Sequence, residues 1–259
     1  MTKRLKILVT NDDGVTSKGI ATLVEVAKKF GDVTVVAPDK PQSGMGHAIT
    51  VSEPVRLYPV DLQLDVPTYA CSGTPVDCVK IAISQVFKGK PDLLLSGVNH
   101  GANNSINVIY SGTMSAAVEG ALENIPSVGL SHLSHDANAD FDIVHKWLPG
   151  ILEDVVQDDF PESVCLNVNF PDIPNEEVKG KRVCRQSLGK WDDSFEKRTD
   201  PTGKPYYWLK GEFINDDHGK DTDVWALENG YISIVPTQFD MTAHHAIAHL
   251  NKHNYEDAE

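Results

Sequence analysis

Apolar and polar positions alternate in blocks along most of the chain, and the period of the blocks switches. KILVT (6–10) is a short, unbroken apolar run with β-branched members, the signature of a strand buried on both faces. After the turn residues N-D-D-G, Ile20, Leu23, Val24 and Ala27 fall at i, i+3, i+4 and i+7, one face of a helix. VTVVAP (33–38) returns to strand texture and stops at Pro38, and PQSGMGH (41–47) is a glycine-rich loop. Residues 48–70 (AITV, VRLYPV, VPTYA) predict a β excursion. Thr74, Pro75 and Asp77 then supply an N-cap, a first-turn proline and an acidic third position for a helix. PDLLLSG (91–97), IPSVGLS (125–131) and VCLNVNF (164–170) are further strands, separated by an Ala-rich helix within 110–123 and another around 140–157. This alternation predicts an α/β fold, a Rossmann-like, mostly parallel sheet with helices on both faces.

After Pro171 the texture changes. Residues 175–230 are polar, with charge clusters and a short aromatic run at Tyr206, Tyr207 and Trp208, and predict a β-rich appendage. GYISIVPTQ (230–238) is a last strong strand, and FDMTAHHAIAHL leads into a final helix. The expected division is a catalytic core over 1–171 and a C-terminal hairpin and helix region over 172–259. His245, His249 and His253 recur every fourth residue on that final helix, with His244 alongside. Without the Glu of H-E-x-x-H, they read as a surface or interface face in preference to a zinc site.

Composition narrows the function classes. The 259 residues are 41% apolar and 23% charged, a globular balance. The net charge of −14 argues against extended nucleic acid as a partner, because phosphate tracks need a basic surface. No apolar run is long enough to span a bilayer or act as a signal peptide, so no membrane partner is expected. Cys71, Cys78, Cys165 and Cys184 form no C-x-x-C pair and sit mostly in apolar runs. They suggest small buried side chains in a reducing compartment, the cytoplasm.

In open parallel sheets, ligands bind beyond the carboxyl ends of the strands. This chain places Asn11, Asp12 and Asp13 after the first strand, Ser43 after the second, and Asn99, Asn103 and Asn104 after PDLLLSG. Adjacent carboxylates repel unless a cation or proton lies between them. The oxygen set Asp12, Asp13, Ser43 and Asn99 suits one hard divalent ion, Mg²⁺ or Mn²⁺. By itself N-D-D-G is equally a tight turn and helix cap. Ser111, Gly112 and Thr113 open the Ala-rich helix, whose free N–H groups could cradle a phosphate, although capping alone also explains them. A metal and an anion cradle on one edge suggest phosphoryl hydrolysis by metal-activated water, with Asp12 or Asp13 as the catalytic carboxylate. His47 and His100 occupy the right loops, but neither is singled out as a general acid.

These blocks resemble the SurE family, the stationary-phase survival proteins. The resemblance runs from residue 5 to about 250 through ILVTNDDG, VVAPDKPQSGMG, SGTPVDCV, PDLLLSGVNHGAN, YSGTMSAAVEGAL, LNVNFP, DPTGKPYYWL and TDVWALENGYISIVPTQFDMT. It implies a 5′/3′-nucleotidase of the phosphoric monoester hydrolase type, acting on nucleoside monophosphates. It also implies one divalent ion per subunit at Asp12, Asp13, Ser43 and Asn99, and phosphate contacts at Asn103, Ser111, Gly112 and Thr113. A C-terminal hairpin and helix exchanged between subunits, with Asp240 and Thr242 where the tail folds back, would make a homodimer or homotetramer.

Two other readings compete. A phosphatase with a covalent aspartyl-phosphate would carry D-x-D-G after the first strand, where this chain has Asn11 first. A non-enzymatic receiver-like domain needs an acceptor Asp at the end of its third strand, whereas Asp92 opens that strand. No G-x-G-x-x-G follows the first strand to favour a dinucleotide module.

Overall fold

The first strand faces two ways. In the computed structural model, which describes residues 4–136, 138–157 and 160–253, β1 (Leu5–Thr10) sends Ile7 and Val9 into one apolar cluster and Leu8 into another. Helices α1 (Lys18–Ala27) and α4 (Asp142–Val156) cover the first side; α2 (Pro75–Ile81) and α3 (Gly112–Leu122) cover the second. The expected α/β architecture with helices on both faces is therefore present. Ile20, Leu23, Val24 and Ala27 are all buried on α1, as their spacing predicts.

The remaining strands are β2 (Gly31–Pro38), β3 (Leu57–Pro59), β4 (Thr68–Cys71), β5 (Leu93–His100), β6 (Ser127–His132), β7 (Val164–Phe170), β8 (Gly180–Val183), β9 (Lys190–Thr199), β10 (Pro205–Ile214) and β11 (Tyr231–Gln238). Nine of the strands form one sheet in the order β3-β4-β2-β1-β5-β6-β7-β11-β8. Its centre is parallel; β3 runs antiparallel to β4, and β11 antiparallel to β7. The chain moves outward from β1 through β2, then crosses to the other side of β1 to start β5. The gap between β1 and β5 is thus the topological switch point, where such sheets open a crevice.

Beyond Pro171 the chain does two things. Strands β8 and β11 extend the main sheet, whereas β9 and β10 form a separate two-stranded ribbon. A short helix, α5 (Asp223–Glu228), lies inside the stretch expected to be β-rich; Thr222 caps it by accepting from Trp225 N, and six residues are too few to show a helical period. The excursion over 48–70 is also less regular than its composition suggests. Only β3 and β4 are strands there, and residues 48–51 hydrogen-bond to a helix start in place of a strand. Thr74 Oγ1 donates to Ala48 O, while Thr50 donates through its N–H and hydroxyl to Asp77. The Thr74–Asp77 capping box itself forms as its sequence predicts.

Candidate active site

The turn after β1 is organised by Asn11, which frees the two aspartates. Asn11 Nδ2 donates to Gly14 O and Ser17 Oγ, and its Oδ1 accepts from Gly14 N. Gly14 closes the turn at φ +98°. The Gln42 N–H donates to Asp12 O at 2.7 Å, so the loop carrying Ser43 is tied to the turn carrying Asp12.

Asn99 reaches the same place through an irregularity. The pairing of β5 with β6 shifts register between Ser96 and Asn99, and Gly97 lies at φ +134° with Leu130 O where a Cβ would stand. A bulge of this kind re-aims the side chain that follows. Asn99 Nδ2 donates to Gly101 O at 2.7 Å, which leaves its Oδ1 as the open ligand atom.

Asp12, Ser43, Asn99, Asn103 and Ser111 line one cleft of about 380 Å³, together with His100, Asn107, Tyr110, His135, Trp191 and Phe213. Asp13 stands beside it, its Oδ2 3.4 Å from His100 Nδ1. A larger groove of about 470 Å³ lies nearby, lined by Val108, Met114, Val118, Phe239 and Met241. It is apolar and carries no carboxylate, so the smaller cleft is the chemical one.

Asp12 is only 4% exposed, and burial pushes its carboxyl up to about 6, with the charge of Asp13 adding to the effect. Thr113 Oγ1 donates to Asp12 Oδ1 and opposes the rise. A buried carboxylate beside a second one, with an open amide oxygen and a hydroxyl at hand, is an all-oxygen donor set that a hard divalent cation would complete. Among the described residues no group of three or more His, Cys, Asp or Glu side chains is placed to hold a metal. The histidines of α6 (His244–Leu250) follow that rule: His249 packs edge-on against His253, and His244 pairs with Asp240.

The helix start at Ser111 divides its labour. Ser111 caps α3 by accepting from Met114 N, which leaves its own O–H proton available. Gly112 allows close approach, since a Cβ there would lie 2.7 Å from Asp12 Cβ. Thr113 is fully buried and its hydroxyl faces Asp12. Asn103 is held by a polar lattice at the ends of β6 and β7: its Nδ2 donates to Ser131 Oγ, its N–H to Asn169 Oδ1, and its carbonyl accepts from Asn167 Nδ2.

Several side chains at this site escape a sequence reading. His47 does not line the cleft; its Nε2 lies 3.0 Å from Glu119 Oε2, and Lys80 pairs with the other oxygen. Burial raises the Glu119 carboxyl, but these two contacts outweigh it and hold it below its ordinary value. The loop bearing Ser43 is therefore latched to α3. Asp223, fully buried, accepts from Ser105 N and Ser187 N and so ties the C-terminal region to the segment ahead of Ser111. The only sequence signal for His100 was its loop, and none marked Trp191 or Phe213.

The four cysteines are buried and unpaired by disulfides, and burial lifts the Cys165 thiol to about 12. Among the described residues no helix is long and apolar enough to cross a membrane.

Comparison with known proteins agrees with this arrangement. The family described as survival protein SurE matches residues 7–193. The chain is 57% identical to the 5′-nucleotidase SurE of Flavobacterium psychrophilum, over 95% of this chain and 96% of that one. It is 54% identical to the 5′-nucleotidase SurE of Christiangramia forsetii, over 98% and 99%. The crystal structure of the SurE protein from Aquifex aeolicus superimposes with a TM-score of 0.82 at 38% identity, covering 95% of this chain and 98% of that one.

Proposed function

The chain belongs to the SurE survival-protein family, and from that premise we propose that it is a divalent-metal-dependent phosphomonoesterase that releases phosphate from nucleoside 5′- and 3′-monophosphates. The observation that carries the reading is the convergence of Asp12, Ser43, Asn99 and Ser111 on one cleft, with Asp13 at its side. The cleft volume suits a small-molecule ligand.

In this reading Asp12, Asp13, Ser43 and Asn99 hold one Mg²⁺ or Mn²⁺. When bound, the ion lowers the pKa of a water and polarises a phosphoryl oxygen. The protein's own groups do the rest. Thr113 fixes the rotamer of Asp12, so one carboxylate oxygen keeps a constant direction. Asp12 or Asp13 takes the proton of the attacking water. Ser111 donates its O–H to the phosphate, and the first amides of α3, at Gly112 and Thr113, carry the positive end of the helix dipole toward it. Asn103, locked by Ser131 and Asn169, offers an amide to the same anion. With a net charge of −14, the chain needs the cation to bring an anionic substrate to two carboxylates.

The β9–β10 ribbon and α6 are read as the parts exchanged between subunits of a homodimer or homotetramer. Their exposed apolar side chains, Phe195, Trp208, Leu209 and Met241, support this.

The test is phosphate release from 5′-AMP and 3′-AMP by the purified chain. Activity should vanish with EDTA and return with Mn²⁺ or Mg²⁺. Full turnover after exhaustive chelation would refute the reading.

A further inference from the structure

Trp191 opens β9, and Phe213 stands directly opposite it on β10. Both line the cleft that holds Asp12 and Ser111, although they belong to a ribbon that is otherwise outside the sheet. Their rings meet edge to face, with centroids 5.7 Å apart. The indole is further pinned because its Nε1–H donates to Asn107 Oδ1 at 2.7 Å. Asn107 lies on the short 3₁₀ turn Ser105–Ile109, four residues before Ser111. A 3₁₀ backbone rises about 2 Å per residue, so the indole's anchor sits about 8 Å along the chain from the helix start. That separation matches a phosphate at one end of a nucleotide and a base at the other.

The indole is 40% exposed, far more than a residue that only packs a hairpin needs to be, and it is held on two sides. A fixed, half-open aromatic face at the rim of a phosphate-binding cleft is a stacking platform. We propose that Trp191, backed by Phe213 and aimed by Asn107, is the residue that holds the nucleobase, and so makes this phosphatase favour nucleotides over simple phosphate esters. The proposal rests on the nucleotidase reading above. Trp191 is a specificity residue: it touches the base and leaves the phosphoryl chemistry to the strand-end groups.

The experiment compares 5′-AMP with glycerol 1-phosphate, which has the ester but no base, in wild type, Trp191→Leu and Trp191→Phe. Leucine preserves apolar bulk in the ribbon and removes the π face; phenylalanine restores one. Trp191→Leu should lower kcat/KM for 5′-AMP roughly tenfold, mainly through KM, as expected for one base–aromatic stack. Its kcat/KM for glycerol 1-phosphate should stay within about twofold of wild type. Trp191→Phe should recover most of the loss on 5′-AMP. Equal losses on both substrates, or no loss on 5′-AMP, would overturn the platform while leaving the phosphatase reading intact. A wild-type protein inactive on both esters with Mn²⁺ present would instead defeat the reading, and the platform with it.

Discussion

At the carboxyl edge of the sheet, polar side chains are inside: Asp12, Asn103, Ser111 and Thr113 are all buried. On the β9–β10 ribbon and α6 the reverse holds. Phe195, Trp208 and Leu209 are more than half exposed, and Met241 is 88% exposed. Both regions run against the usual partition of residues, and each therefore implies something outside the single chain. A buried carboxylate with a raised pKa asks for a cation. A two-stranded ribbon is at best marginal alone, and a row of exposed aromatic residues on it asks for protein surface. The two regions meet at Trp191 and Phe213, the root of the ribbon and the rim of the cleft.

The sharpest way to break the contrast is Asp12→Asn. Phosphate release from 5′-AMP should fall on the order of a thousandfold at saturating Mn²⁺, since the ion's grip and the water's proton acceptor are both impaired. Activity within tenfold of wild type would remove Asp12 from the chemistry.

The ribbon answers to a different substitution. Trp208→Asp combined with Leu209→Asp should convert an assembled species to monomer, read by light scattering behind size exclusion. Assembly unchanged in mass would mean that the exposed row contacts nothing.

Asp12→Asn should have the opposite sign on stability in metal-free protein. The folded-state pKa of about 6 lies above the ordinary 3.8, so the native state favours the protonated form. That contribution is fully present below pH 3.8 and lost as pH rises through 6, so at neutral pH the charged Asp12 weakens the fold. Denaturant unfolding of chelated protein at pH 7.5 should show the variant more stable, by on the order of 2–3 kcal/mol. The gain should fade toward pH 4. A variant less stable at pH 7.5 would mean that the carboxylate is not strained by burial.

A smaller effect is expected at the latch. His47→Ala frees the Ser43 loop from Glu119 without touching the cleft. The Mn²⁺ concentration for half-maximal activity should rise several-fold, the scale of one charge-assisted hydrogen bond, with kcat at saturating metal little changed. A drop in kcat with unaltered metal dependence would point to a role for His47 other than holding the loop.

Much of this molecule is set by short-range rules that can be read along the chain. The unbroken run at 6–10 requires burial on both faces, and Ile7, Leu8 and Val9 meet it. Thr74, Pro75 and Asp77 start a helix through bonds that span three residues. The same logic brings Asp12, Asp13, Ser43 and Asn99 to one edge, because a parallel strand delivers the residue after it to a known end of the sheet. Tertiary structure alone decided that the Thr113 hydroxyl turns onto Asp12, that His47 reaches Glu119 and not the cleft, and that residues 48–51 pair with a helix cap. It alone placed Trp191 against Asn107, 84 positions earlier in the chain. Period and capping act over a few residues and leave their mark in sequence; contacts between remote side chains depend on how whole elements pack, and no local pattern encodes them.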